Sequence, residues 1–213
     1  MSMYSKVTRI RFPCDSGVED ALQSWLQELN LEDAMLGSDA DYEYSLDKNE
    51  VLEKVSGKYL QNHILPLMEE CDDCNKAEYH TGEENYIDLG FQSDYHKDLN
   101  EIFQNAPMGN LKYVKPSGRF WYPPRGYMGW HNNNDHEGWR LYSNWSEEGH
   151  KSFFRYRNPL TEEIVTDWDK KGWNHRLFYC TEKLPLWHCV YSDTNRISVG
   201  FWYETVPTEV TNN

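Results

Sequence analysis

Two histidines, an arginine and a serine stand out in the second half of the sequence for the chemistry that their types and order allow. His131 lies in Gly126-Tyr-Met-Gly-Trp-His-Asn-Asn-Asn-Asp135, an aromatic run that ends in a polar turn. His188 lies in the apolar stretch Leu186-Trp-His-Cys-Val190, and eight residues later comes Arg196-Ile-Ser198-Val-Gly200-Phe. Neutral imidazole is a common ligand of divalent iron, and a face of two histidines and one oxygen donor leaves positions open for a cosubstrate and for oxygen. An arginine and a serine two positions apart on a strand project to one side, where guanidinium and hydroxyl together clamp a carboxylate. The set suits a dicarboxylate that chelates a metal at one end and meets the arginine at the other.

These residues need a scaffold that brings distant segments to one place, and the sequence from Leu111 onward supplies it. Short aromatic and β-branched runs recur at Leu111 to Val114, Arg119 to Tyr122, Trp139 to Trp145, Ser152 to Tyr156, Glu163 to Asp167, Leu177 to Tyr179, Trp187 to Tyr191 and Ile197 to Tyr203. Turn signals such as Pro123-Pro124-Arg125-Gly126 and Asn158-Pro159 separate them, and about eight strands so spaced predict a sandwich or barrel-like roll. Tyr142 is assigned to the face that could line a pocket, with Arg140 and Asn144 on the other.

Residues 1–110 read differently. Tyr4 to Phe12 alternates like a strand, and Val18 to Leu36 carries Leu22, Trp25, Leu26 and Leu29 at helical spacing. A second helix is predicted over Val51 to Leu67 with Pro66 near its end, and a short third over Tyr95 to Phe103. Glu69 to Glu84 is polar and acidic and is read as a surface loop. It contains Cys71, Cys74 and His80, but no second ligand pair at the spacing a zinc site needs. The expectation is one folded domain overall, with residues 1–110 as a helical support packed on a β roll formed by residues 111–213.

Composition narrows the function classes. The 35 Asp and Glu against 21 Lys and Arg leave a formal charge of -14, the wrong sign for gripping a phosphate backbone or an anionic membrane. Nucleic acid is therefore disfavoured as a partner. No apolar run approaches the roughly 20 residues of a membrane helix, and the start has no apolar signal core, so no membrane partner and a cytoplasmic location are expected. The five cysteines are scattered in a chain large enough to stand without staples, and they are read as reduced thiols.

Over roughly Ser117 to Tyr203 the chain resembles the iron(II)- and 2-oxoglutarate-dependent dioxygenases, in particular their prolyl-hydroxylase-like branch. The family pattern is a histidine with an acid two residues on, a distal histidine, and an arginine followed shortly by serine or threonine. His131, His188, Arg196 and Ser198 stand in these positions. The resemblance implies a mainly β fold with N-terminal helices around a double-stranded β-helix, or jelly roll. It also implies Fe(II) held by the histidines, and 2-oxoglutarate as cosubstrate on Arg196 and Ser198, with Tyr122 and Tyr142 as phenols that donate to it. The sequence departs from the pattern at Asn133, where the family usually has Asp or Glu. The third ligand is then the Asn133 amide, or Asp135, or a water or halide in a vacant position. The implied activity is hydroxylation of a small-molecule or peptidyl substrate. The competing readings are a decayed jelly roll that only binds, and a cupin-like metalloenzyme that does not use 2-oxoglutarate.

Overall fold

The computed structural model describes residues 7–31, 42–43, 45–69, 79–90, 94–133 and 137–206. After the first strand, β1 (Thr8–Ile10), comes helix α1 (Val18–Glu28), with the acids Glu19 and Asp20 in its first turn. This helix ends earlier than the predicted Leu36, because Leu29 turns to extended backbone; residues 32–41 lie outside the described set. Helix α2 (Lys48–Lys54) is started by Asp47, whose carboxylate accepts from the backbone N–H of Asn49 and Glu50.

The helix predicted over Val51 to Leu67 is broken at Val55-Ser56. Ser56 caps a fresh start at α3 (Gly57–Tyr59), which passes through a π-helical turn (Leu60–Ile64) into α4 (Leu65–Glu69). Pro66 has no N–H to give to the carbonyl four residues back, and its ring crowds that carbonyl; the wider π turn just before it accommodates both defects. Part of the predicted surface loop is extended instead. The short strands β2 (Tyr79–His80) and β3 (Glu84–Asn85) pair with a later strand, whereas Cys71 and Cys74 lie outside the described residues. Strand β4 (Ile87–Asp88) and helix α5 (Asp94–Gln104) complete this half.

Eight strands follow: β5 (Leu111–Tyr122), β6 (Tyr127–Asn132), β7 (Gly138–Ser146), β8 (Ser152–Arg157), β9 (Ile164–Trp168), β10 (Gly172–Cys180), β11 (His188–Ser192) and β12 (Arg196–Thr205). One sheet has the order β1-β10-β7-β12-β5-β4 and the other β2-β6-β11-β8-β9, with β3 also on β6; all pairs are antiparallel. The chain thus passes from one sheet to the other and back, and β5-β12-β7-β10 faces β6-β11-β8-β9. That strand order is a double-stranded β-helix, as expected. The N-terminal half is more than a helical support, since β1 to β4 extend the edges of both sheets.

Alternation along the strands builds three apolar layers. Leu141, Ile197, Val199 and Phe201 face outward from the first sheet onto Leu22 and Trp25 of α1 and Leu99 and Phe103 of α5. Trp130, Phe153, Cys189 and Tyr191 face outward from the second onto Val51, Val55, Leu60 and Ile64. The third layer lies between the sheets, with Tyr122, Met128, Phe154, Phe178 and Val190. The helices thereby clamp the two sheets from outside, and the interior of the roll is left to the aromatic and polar side chains of the inward faces. No helix among the described residues is long and apolar enough to cross a membrane.

Candidate active site

His188 stands directly opposite His131 across the β11–β6 pair. The register then shifts: Val190, two residues on in β11, faces Met128, three residues back in β6. The extra residue is a bulge at Gly129-Trp130, and it lets Met128 and His131 both line the interior cavity while Trp130 turns out to the helices. Two contacts pin the bulge. The Trp130 indole N–H donates to the Ser56 carbonyl at 2.9 Å, and the Gly129 N–H donates to the Glu83 carbonyl at 2.7 Å. A Cβ at position 129 would lie 2.5 Å from the Thr81 hydroxyl and 2.6 Å from the Glu83 carbonyl, so only glycine fits against β3 and the turn before it.

Both imidazoles are buried, with ring centroids 4.0 Å apart. Each has its Nδ1 2.8 Å from a backbone carbonyl two residues earlier, Gly129 for His131 and Leu186 for His188. A carbonyl only accepts, so each Nδ1 carries the proton and each Nε2 presents its lone pair, the orientation found in metal-binding histidines. The side-chain amide of Asn133 reaches the same place. Its nitrogen donates to the Tyr142 hydroxyl at 2.9 Å and lies 3.4 Å from His188 Nε2. A half-turn of the amide puts Oδ1 at that point, next to His188, with the Tyr142 hydroxyl then donating to it. Among the described residues no three His, Cys, Asp or Glu side chains gather closely enough to hold a metal. Asp135 lies outside the described residues. With the amide turned in that way, the two fixed imidazoles and its oxygen would offer a neutral N,N,O donor set of the kind divalent iron accepts.

The histidines open on a cavity of about 180 Å³ bounded by Tyr86, Phe120, Tyr122, Tyr142, Ser198 and Gly200. Burial drives the Tyr122 phenol far above its usual pKa, with the nearby Arg196 offsetting only part of it, so the hydroxyl stays protonated. Ser198 faces this space. Arg196 does not stand beside it in the cavity wall. It is fully buried behind Tyr122, its Cζ 5.2 Å from the ring centroid, and its Nε donates to Asp169 at 3.0 Å. The carboxylate of Asp169 is itself fully buried, and it draws the guanidinium toward the closed end of the roll. Among the described residues no hydrogen-bond partner meets Arg196 Nη1 or Nη2, both of them buried.

Two residues at this closed end, Asp169 and Arg176, carry no signal in the sequence. Asp169, just after β9, accepts from Ser152 Oγ at 2.6 Å and pairs with both Arg196 and Arg176, the latter at 2.7 Å. Burial raises the pKa of Asp169, but the two guanidinium groups outweigh it and hold the carboxyl down at about 2. Arg176 also donates to Asn144 Oδ1 at 3.0 Å, and Asn144 Nδ2 donates to Ser198 Oγ at 2.9 Å. The assignment of Asn144 to the face opposite Tyr142 is corrected here. Positions two apart on a strand share a face, and both side chains point inward. Strand periodicity alone identifies Asn144, whereas Asp169 and Arg176 meet only through the fold.

Comparison with known proteins finds likeness in three dimensions alone. No family model matches the chain, and no curated protein matches it. A prolyl hydroxylase from Trichoplax adhaerens, solved with a hypoxia inducible factor oxygen degradation domain peptide fragment, aligns over 94 % of this chain and 84 % of its own, at 10 % identity and a TM-score of 0.48. An oxidoreductase of the 2OG-Fe(II) oxygenase family from Burkholderia pseudomallei aligns over 78 % and 96 %, at 10 % identity and a TM-score of 0.40. For a Pseudomonas putida prolyl-4-hydroxylase the figures are 73 % and 90 %, 14 % and 0.32. The chemistry of the site follows from this chain's own residues.

Proposed function

We propose that the chain is an iron(II)- and 2-oxoglutarate-dependent dioxygenase that hydroxylates a small-molecule or peptidyl substrate. The observation that carries this reading is the cross-strand pair His131 and His188, each locked by its Nδ1–H so that Nε2 is the unprotonated nitrogen, in one cavity with Asn133 and Ser198. Bound iron(II), with 2-oxoglutarate as the co-reductant that is itself oxidised and loses carbon dioxide, would let dioxygen act as the oxidant that hydroxylates an unactivated C–H bond, chemistry that no side chain supplies. The chain's own residues do the rest. The backbone carbonyls of Gly129 and Leu186 fix the imidazole planes, and the Tyr142 hydroxyl fixes the Asn133 amide. Ser198 offers its hydroxyl to the distal carboxylate of 2-oxoglutarate. Tyr122 stands beside it as a protonated phenol, with Arg196, paired to Asp169, behind the ring. Phe120, Met128 and Val190 keep water from the reacting end. A second reading, a roll that binds its ligand without redox chemistry, is favoured by one observation, the neutral amide where an acid is usual.

Asn133 decides between them. Asn133→Asp is nearly isosteric and adds a negative charge beside the histidines, and it is expected to tighten iron(II) binding at least tenfold. Asn133→Ala is expected to loosen it by a similar factor, and Asp135→Ala to change it less. Anaerobic titration of the metal-free protein with iron(II) measures all three. Greater loosening by Asp135→Ala contradicts the role given to Asn133, and no uptake by the unmodified protein contradicts the enzyme reading.

A further inference from the structure

We infer that Asn144 is a positioning residue that sets the polarity of the Ser198 hydroxyl, so that the closed end of the cavity selects a carboxylate over a carboxamide; this rests on the function proposed above. Three buried groups in line leave no choice of donor and acceptor. A guanidinium only donates, so the Asn144 atom 3.0 Å from Arg176 Nη1 has to be the amide oxygen. The amide nitrogen is then the atom 2.9 Å from Ser198 Oγ, and because it only donates, Ser198 has to accept. The Ser198 proton is left over. No group among the described residues takes it, and the cavity that Ser198 lines is the place where it can be given.

The relay is rigid at its origin. Arg176 is fully buried and held by Asp167 at 2.8 Å and Asp169 at 2.7 Å, and Asn144 stands directly opposite Ser198 across β7 and β12. Ser198 thus turns a donor into this end of the cavity, and the Tyr122 phenol, kept protonated, stands beside it in front of Arg196. A carboxylate, which only accepts, satisfies that donor. A carboxamide turns N–H groups against donors, and a buried mismatch of that kind costs far more than a lost contact.

The test uses the full chain loaded with iron(II) under anaerobic conditions, and two probes: 2-oxoglutarate and its analogue with the distal carboxylate converted to a carboxamide. Calorimetry is expected to show the unmodified protein binding 2-oxoglutarate at least tenfold more tightly than the amide. Asn144→Asp reverses the relay, since one carboxylate oxygen accepts from Arg176 and the other takes the Ser198 proton, turning a lone pair toward the cavity. The preference for 2-oxoglutarate is expected to shrink at least tenfold, with iron(II) affinity unchanged. In a Ser198→Ala background the same substitution is expected to change the preference less than twofold, because the hydroxyl through which it acts is gone. Should Asn144→Asp not fold, Asn144→Ala, which frees the hydroxyl to rotate, is expected to reduce the preference at least threefold. An equal effect of Asn144→Asp with and without Ser198, or a preference unmoved by the variant that folds, overturns the inference and leaves the proposed function standing. Failure of the unmodified protein to bind 2-oxoglutarate overturns both.

Discussion

His188→Ala is expected to abolish iron(II) binding, weakening it at least a hundredfold, and to remove all hydroxylase activity. The side chain is fully buried, its Nδ1–H is committed to the Leu186 carbonyl, and its Nε2 lies 3.4 Å from the Asn133 amide. Losing it removes one of two nitrogen donors from a set with no carboxylate among the described residues, so little remains to hold the ion. The fold should survive. The ring packs on Phe154 and Phe178, with centroids 5.1 and 5.7 Å away, and truncation leaves a space in a region that is already a cavity. Anaerobic titration with circular dichroism as a folding control separates the two effects. Iron(II) binding within threefold of the unmodified protein's contradicts the assignment.

The largest effect on stability is expected at Asp169. Its carboxylate is the common partner of Arg176 and Arg196, all three fully buried. Asp169→Ala leaves two interior guanidinium groups short of a counter-charge and strips the Ser152 hydroxyl of its acceptor. Breaking a buried pair in this way costs about 3 to 5 kcal/mol, which urea unfolding at neutral pH measures directly. The same network gives the acid limb of the stability curve. Asp169 has its pKa held down at about 2, below the ordinary 3.8, so the folded state binds its proton less readily than the unfolded chain. The stabilisation is complete above about pH 4 and fades as pH falls through 2, a loss of about 2 kcal/mol at 1.36 kcal/mol per pH unit. A variant whose stability at pH 7 stays within about 1 kcal/mol of the parent's would show that Asp169 is not the keystone of the closed end.

Much of the roll is legible in the sequence because its outward faces are apolar. Trp139 to Trp145 and Ile197 to Tyr203 alternate cleanly, since one face packs on helices and the other on the interior. The first half of β10 is not legible. The apolar run starts only at Leu177, yet Asn174, His175 and Arg176 are strand residues too, with Asp167 and Asp169 neutralising Arg176 inside the fold. Pro116-Ser117-Gly118 likewise suggests two strands where β5 is one, with shifts of register against β12 absorbing the break. At the site, His131, His188 and Ser198, marked by their order and spacing, line one cavity. The displacement of Arg196 behind Tyr122 has no signature in its own segment, because it is caused by a carboxylate 27 residues away.

The most direct test of the central claim is the absorbance spectrum of the unmodified protein under anaerobic conditions as iron(II) and then 2-oxoglutarate are added. A weak visible charge-transfer band that needs both components, saturates at one equivalent of each and is lost with His188→Ala is the result expected of 2-oxoglutarate chelating iron at the histidine pair. Iron uptake with no band on adding 2-oxoglutarate, or no uptake at all, would contradict it.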